Sequence, residues 1–174
     1  MTSIRPTNHP QVSLVIPIRN EAGNIGPLIN EIEETLDTAG FSWELIVVND
    51  GSTDESVHEV SSISASSSRI RLIHLSEGHG KSAALSKGFA SVHGEAVVML
   101  DGDGQDDPAE IPKMLLRLGI APVGSEALPA EADLVNGWKT PRLDPWHKTI
   151  PSRVLNLLGS WLTNLSLHDH NCGL

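Results

Sequence analysis

Apolar residues fall along this chain in two alternating styles, short runs and spaced helical faces. Val12 to Ile16 is a short apolar run closed by Pro17. Residues 22–39 then carry Ile25, Leu28, Ile29, Ile32 and Leu36, a spacing that puts one apolar face on a helix. Gly40 ends that helix. Trp43 to Val48 predicts a second strand and Asn49-Asp50-Gly51-Ser52 a turn, after which Ser52 or Thr53 caps a helix running to about Ile63. The serine-rich residues 61–68 read as helix end and surface loop. Ile70 to Leu75 predicts a third strand, Gly80 to His93 a helix, and Ala96 to Leu100 a fourth strand. Pro108 marks a helix start, to about Leu118. Residues 119–131 hold two prolines and two glycines and predict a loop, followed by a fifth strand over Ala132 to Asn136. Strands alternating with helices predict an α/β domain with a mainly parallel sheet flanked by helices. Beyond residue 150, Val154, Leu155, Leu157, Leu158, Trp161, Leu162 and Leu165 share one helical stripe. That stripe either packs on the core or meets a membrane surface.

Composition narrows the class. A chain of 174 residues suffices for one domain with a core. The formal net charge of -10 excludes non-specific nucleic-acid binding by the whole chain. The charge is uneven. From Lys139 to Arg153, the cations Lys139, Arg142, Lys148 and Arg153 face the single acid Asp144, so this segment is +3 and the remainder -13. A basic island in an acidic chain points to a local anionic partner, a phosphate or an anionic membrane surface. One cysteine, Cys172, rules out an internal disulfide framework and fits a reducing, cytoplasmic compartment. Met1 to Pro10 is polar and lacks the apolar core of a signal peptide. No apolar run approaches the roughly 20 residues that span a bilayer. The expected organisation is a flexible tail over residues 1–11 and one domain over residues 12–174.

The chemistry concentrates at strand ends. Val97-Val98-Met99-Leu100 leads into Asp101-Gly102-Asp103-Gly104-Gln105, placing two carboxylates at the carboxyl end of a strand, where open α/β sheets bind ligands. Two carboxylates at close quarters need a cation or a proton between them. A divalent metal holding a phosphorylated substrate satisfies that need. A calcium loop would require Gly and Glu where Asp106 and Pro112 stand. Gly80-Lys81-Ser82 is no phosphate loop, because Leu75 occupies the position of its first glycine, and Ala83 breaks the dinucleotide fingerprint. His168, His170 and Cys172 match no standard zinc spacing. Arg19-Asn20-Glu21, Asn49 to Ser52 and Gly78 to Ser82 add polar groups after the first three strands, so four strand ends converge on one edge.

In combination these motifs resemble glycosyltransferase family 2. The resemblance is carried by Val15-Ile16-Pro17 with Asn20-Glu21, Val47 to Ser52, Gly80 to Ala84 with Gly88-Phe89, and Asp101 to Gln105 with Pro108. Asn136-Gly137-Trp138-Lys139, Pro151-Ser152-Arg153 and His168 to Cys172 are similar to the polyprenyl-phosphate sugar transferases, of the dolichol-phosphate mannosyltransferase type. The resemblance covers residues 12–174. It implies a GT-A fold, a Rossmann-like sheet, and a nucleoside-diphosphate sugar donor of the GDP-mannose or UDP-glucose type.

By the same resemblance, Pro17, Asn20, Glu21, Asp50, Lys81 and Asp101 would hold the donor nucleotide. Asp101, Asp103 and Gln105 would bind Mg2+ or Mn2+ with the donor diphosphate. Lys139, Lys148, Ser152 and Arg153 would meet the acceptor phosphate or the diphosphate, and Asp101, Asp103, Lys148 and Arg153 would carry catalysis. The implied reaction is metal-dependent, inverting transfer of mannose or glucose to a polyprenyl phosphate at the cytosolic membrane face, by a peripheral protein. Alternatives are a family 2 enzyme with a saccharide acceptor, and a nucleotide-binding remnant without turnover. Asn49 replaces the first of two acids common after the second strand, which leaves base choice open. Gly104 replaces an apolar residue common in the metal motif. Members of this branch continue beyond the Cys172 motif, so a C-terminally truncated domain is expected.

Overall fold

The computed structural model describes residues 9–126 and 128–137. Within them, β1 (Val12–Ile18), β2 (Trp43–Asn49), β3 (Ile70–His74) and β4 (Ala96–Met99) form a wholly parallel sheet in the order β3-β2-β1-β4. Helices α1 (Ile25–Ala39), α2 (Ser56–Ser64) and α3 (Lys81–Phe89) connect the strands, and α4 (Ile111–Arg117) follows β4.

Strand side chains alternate between faces, and both faces of β1 are covered. Leu14, Ile16 and Ile18 pack with Ile25, Ile29, Ile32 and Leu36 of α1 and with Ile111 and Leu115 of α4. Val15 faces the other way, joining Ile46, Val48 and Ala84 of α3 in a smaller core. A strand buried on both faces needs apolar residues at consecutive positions, which is why β1 and β2 read as runs. Helix α3 lies unusually close to the sheet. A Cβ on Gly88 would stand 2.4 Å from Val15 Cγ1, so only glycine fits that contact.

The chain lays down β1, β2 and β3 side by side, then places β4 on the opposite edge of β1. The carboxyl ends of β1 and β4 therefore flank a topological switch point, where open α/β sheets leave a crevice.

Several elements differ from expectation. Residues 132–136 form no strand, and Leu134 is exposed. Val135 is the only β-branched residue there, and a strand needs a ladder partner for its amides. Helix α2 begins at Ser56, past Ser52 and Thr53, because both serve as partners of Asn20 instead. Helix α3 stops at Phe89, leaving His93 to bind Ser13 and Glu44 through its main chain. The expected single helix from Pro108 starts as a 3-10 turn over Pro108–Glu110, capped by the Asp107 carboxylate at Ala109 N. Gln11, expected in the tail, is tied to Ser42 and to the Ala121 carbonyl. The helical stripe of residues 154–165 and the His168 to Cys172 motif lie outside the described residues.

Candidate active site

A cleft of about 280 Å³ opens at the switch point, lined by Pro17, Ile18, Arg19, Glu21, Asp50, Gly80, Lys81, Asp101, Gly102 and Asp103. All four strand ends contribute to its walls or their supports. The loops after β1 and β3 are held by side chains that follow β2, and the loop after β4 by its own Asp103 and Asp106.

The loop after β1 is held through its main chain. The amides of Asn20, Glu21, Ala22 and Gly23 donate in turn to Ser52 Oγ, Ser56 Oγ, Asp54 Oδ2 and Glu59 Oε1, at 3.1, 2.8, 3.0 and 2.8 Å. Asn20 sits at φ 60°, a left-handed conformation that asparagine tolerates. Its side-chain oxygen accepts from Thr53 N at 2.8 Å. Asn20 therefore clasps the loop after β2 and is not among the residues lining the cleft. The Asp54 carboxyl lies below the usual range, chiefly through the Ser56 hydroxyl it accepts from, with the Ala22 and Ser56 amides adding to that against some desolvation. Glu21 does line the cleft, and its Oε2 accepts from Asn24 Nδ2.

Asp50 follows β2 and is almost wholly buried. Its two carboxylate oxygens accept from the amides of His79 and Gly80, at 2.7 and 2.9 Å. Asp50 thus anchors the loop before α3. Asn49 closes the adjoining turn by accepting from Ser52 N at 2.9 Å. That geometry uses an amide oxygen where an acid is common in the resembling family. Arg19 reaches across to the same loop. A Cβ on Gly78 would lie 2.9 Å from the Arg19 guanidinium, so glycine there leaves its space open.

Asp101, Gly102 and Asp103 form the opposite wall. The Asp101 amide donates to Asp106 Oδ2 at 3.0 Å, which fixes the start of the motif. Asp101 Oδ1 accepts from Lys81 Nζ at 2.5 Å. Asp103 Oδ1 accepts from the Gln105 amide at 3.0 Å. Gln105 is exposed, and its side chain does not line the cleft. Gly102 is buried, and a Cβ there would meet Ile18 Cγ2 at 2.9 Å, so the two walls approach as closely as glycine permits.

The structure therefore brings Pro17, Glu21, Asp50, Lys81, Asp101 and Asp103 to one cleft. Lys139, Lys148, Ser152 and Arg153 lie outside the described residues. Arg19 was read from sequence as a polar group after the first strand and Asp106 as a mismatch to a calcium loop, and neither was given a role in the site. The signal for Arg19 was its place as the first cation after β1. For Asp106 there was only the extra acid after Gln105.

Among the described residues, four carboxylates and two cations line the cleft, so a diphosphate entering beside them meets net negative charge. A divalent cation resolves that repulsion, and two carboxylates plus substrate phosphate oxygens are a ligand set that such hard cations take. Asp101 and Asp103 fit it. Among the described residues no group of three or more His, Cys, Asp or Glu is placed to hold a metal ion.

Residues 13–158 match the family described as Glycosyl transferase family 2. The chain is 35% identical over 177 residues to dodecaprenyl-phosphate galacturonate synthase of Rhizobium johnstonii, covering 98% of this chain and 50% of that protein. It thus spans about half the length of that curated relative. Among solved structures, it is similar to glucosyl-3-phosphoglycerate synthase from Mycobacterium tuberculosis in complex with Mn2+, UDP and phosphoglyceric acid. That match has 28% identity and a TM-score of 0.52, covering 66% of this chain and 40% of the other. Mannosyl-3-phosphoglycerate synthase from Rubrobacter xylanophilus also has a TM-score of 0.52, at 24% identity, over 62% of this chain and 35% of the other. The parallel sheet with its helices is the GT-A fold.

Proposed function

The chain belongs to glycosyltransferase family 2, and from that premise we propose that it moves a six-carbon sugar from a nucleoside diphosphate to a polyprenyl phosphate. The observation that carries the proposal is the convergence of Asp50, Lys81, Asp101 and Asp103 on one cleft at the switch point. The acceptor class is supported by the name of the Rhizobium relative. That name also puts a uronic acid beside mannose and glucose among the sugars to test.

Asp101 and Asp103 would hold Mg2+ or Mn2+, which when bound neutralises the charge of the departing diphosphate. The Mn2+ in the mycobacterial structure supports a divalent ion. Gln105 would have to turn inward to join that set. Glu21 and Arg19 would face the nucleoside, while Asp50 keeps the loop of residues 77–80 in place beneath it. An oxygen of the acceptor phosphate attacks the anomeric carbon, and the bond from that carbon to the diphosphate oxygen breaks, with its electron pair leaving on the diphosphate. Attack opposite the leaving group inverts the anomeric configuration. A phosphomonoester is close to dianionic near neutral pH, so no strong base has to remove a proton. It does need cations, and Lys139, Lys148 and Arg153, with Ser152, are proposed to supply that contact.

No helix among the described residues is long and apolar enough to cross a membrane. The basic segment supports peripheral placement at the cytosolic leaflet, whose anionic lipids attract lysine and arginine.

Calorimetric titration with UDP, GDP, UDP-glucose, GDP-mannose and UDP-galacturonate, with and without Mn2+, tests the donor side. A product assay offering polyprenyl phosphate or soluble saccharides tests the acceptor. The expected result is metal-dependent nucleotide binding and sugar on the lipid phosphate. Binding of no nucleotide in either condition would refute the proposal, and sugar on a saccharide alone would replace the acceptor. Asp103→Ala should abolish the metal-dependent part of the binding; unchanged affinity would remove that residue from the metal set.

A further inference from the structure

Lys81 occupies the first position of α3, on a fixed base. Gly80 before it has φ 90° and ψ 160°, a backbone that suits glycine alone. The amides of His79 and Gly80 are bound to the buried Asp50. From this base a flexible stem carries a compact ammonium into the cleft. There it pairs with Asp101, and the lysine side chain remains about half exposed. Arg19, the other cation of the cleft, forms no such ion pair among the described residues.

Asp101 is also a carboxylate that the proposed function gives to the metal. An ammonium and a divalent cation on one carboxylate repel each other. A donor diphosphate in the cleft would offer Lys81 another anion within reach of the same stem. We infer that Lys81 is an exchangeable counter-ion. It neutralises Asp101 before donor arrives, then passes to the diphosphate and leaves Asp101 to the metal. The inference rests on the donor and metal assignments above and adds an order to them. Metal and nucleotide become coupled ligands, each raising the affinity of the other by the same factor. An ion pair this exposed is a weak hold, so it should depress Mn2+ affinity by about two- to fivefold.

Mn2+ titrations followed by electron paramagnetic resonance test this on the full chain, without nucleotide and with saturating UDP or GDP. Wild type is compared with Lys81→Met and with Arg19→Met, which also removes one cation from the cleft. Lys81→Met should tighten Mn2+ binding without nucleotide by about two- to fivefold, beyond any gain in Arg19→Met. It should also shrink the factor by which nucleotide enhances Mn2+ binding. Nucleotide binding with unchanged Mn2+ affinity in Lys81→Met, or equal gains in both variants, overturns the exchange alone. Absence of nucleotide binding in wild type removes the donor assignment, and the exchange falls with it.

Discussion

Replacing Asp50 by asparagine separates two roles that the motif alone confounds, contact with a ligand and support of a loop. Asp50 is 4% exposed, and its carboxylate accepts two backbone N–H groups, at 2.7 and 2.9 Å. Hydrogen bonds to a charged group contribute about 1.5–3 kcal/mol each. In Asp50→Asn one oxygen remains as a neutral acceptor, while the new NH2 group faces an N–H, donor against donor. The loop of residues 77–80 is largely solvent-accessible, so the released N–H can turn to water. That relief keeps the expected loss near 2 kcal/mol, or about 6 °C in Tm for a chain of this size. Thermal melting measures the first number, and hydrogen exchange at the His79 and Gly80 amides locates the change. Asp103→Asn is the control. Among the described residues its carboxylate accepts only the Gln105 amide, in an exposed turn, and the change should shift Tm by little more than 1 °C. An unchanged melt with unchanged exchange at residues 79 and 80 in Asp50→Asn would show that the loop does not depend on the carboxylate.

Gly88→Ala should cost about 1–3 kcal/mol by forcing a methyl into Val15, offset by at most about 1 kcal/mol of helix propensity. Val15→Ala in the same chain should recover part of that loss, and strictly additive urea midpoints for the two changes would contradict the packing account. The Glu44 carboxyl lies below its ordinary range. Burial, the largest influence, opposes this, but the Ser13 hydroxyl, the His93 amide and ring, and Arg71 outweigh it. A carboxyl depressed by folding adds stability that is complete above its unfolded value and disappears as pH falls through its folded value. Urea unfolding of wild type should therefore weaken below about pH 4 more steeply than that of Glu44→Gln; parallel pH profiles would remove Glu44 from the acid response.

The periodic elements were the legible part of the fold. Ile25, Leu28, Ile29, Ile32 and Leu36 are all buried on α1, because a 3.6-residue period has one consequence for packing. The runs of β1 and β2 were legible for a related reason, since a strand covered on both faces needs apolar residues in succession; β4 is an apolar run too, but its Val97 is exposed. What escaped was set by partners distant in sequence. The expected strand over residues 132–136 depended on a neighbour that local composition cannot supply. The end of α3 depended on His93 finding Ser13 and Glu44, 80 and 49 residues away. In the cleft, the acidic positions were legible from strand ends, but their division of work was not. Nothing in Asn49-Asp50 tells that the amide closes a turn while the acid holds the loop before α3.

That division follows one rule across the cleft. Main-chain amides of each wall are satisfied by side chains: those of residues 20–23 by Ser52, Ser56, Asp54 and Glu59 and those of residues 79–80 by Asp50, all from beyond the apolar run of β2, and that of residue 101 by Asp106 of its own loop. Polar main chain at a sheet edge would otherwise bind water or ligand indiscriminately. Satisfied internally, it becomes a rigid frame that spends no ligand-binding energy on ordering. The groups left to face a ligand are then side chains, chiefly Arg19, Glu21, Lys81, Asp101 and Asp103, and most of these are ionic. A rigid frame with charged, exchangeable side chains can change its counter-ions without moving its backbone. Under the proposed function, such a site would take a diphosphate and a metal together, with Lys81 paired to Asp101 when neither is present.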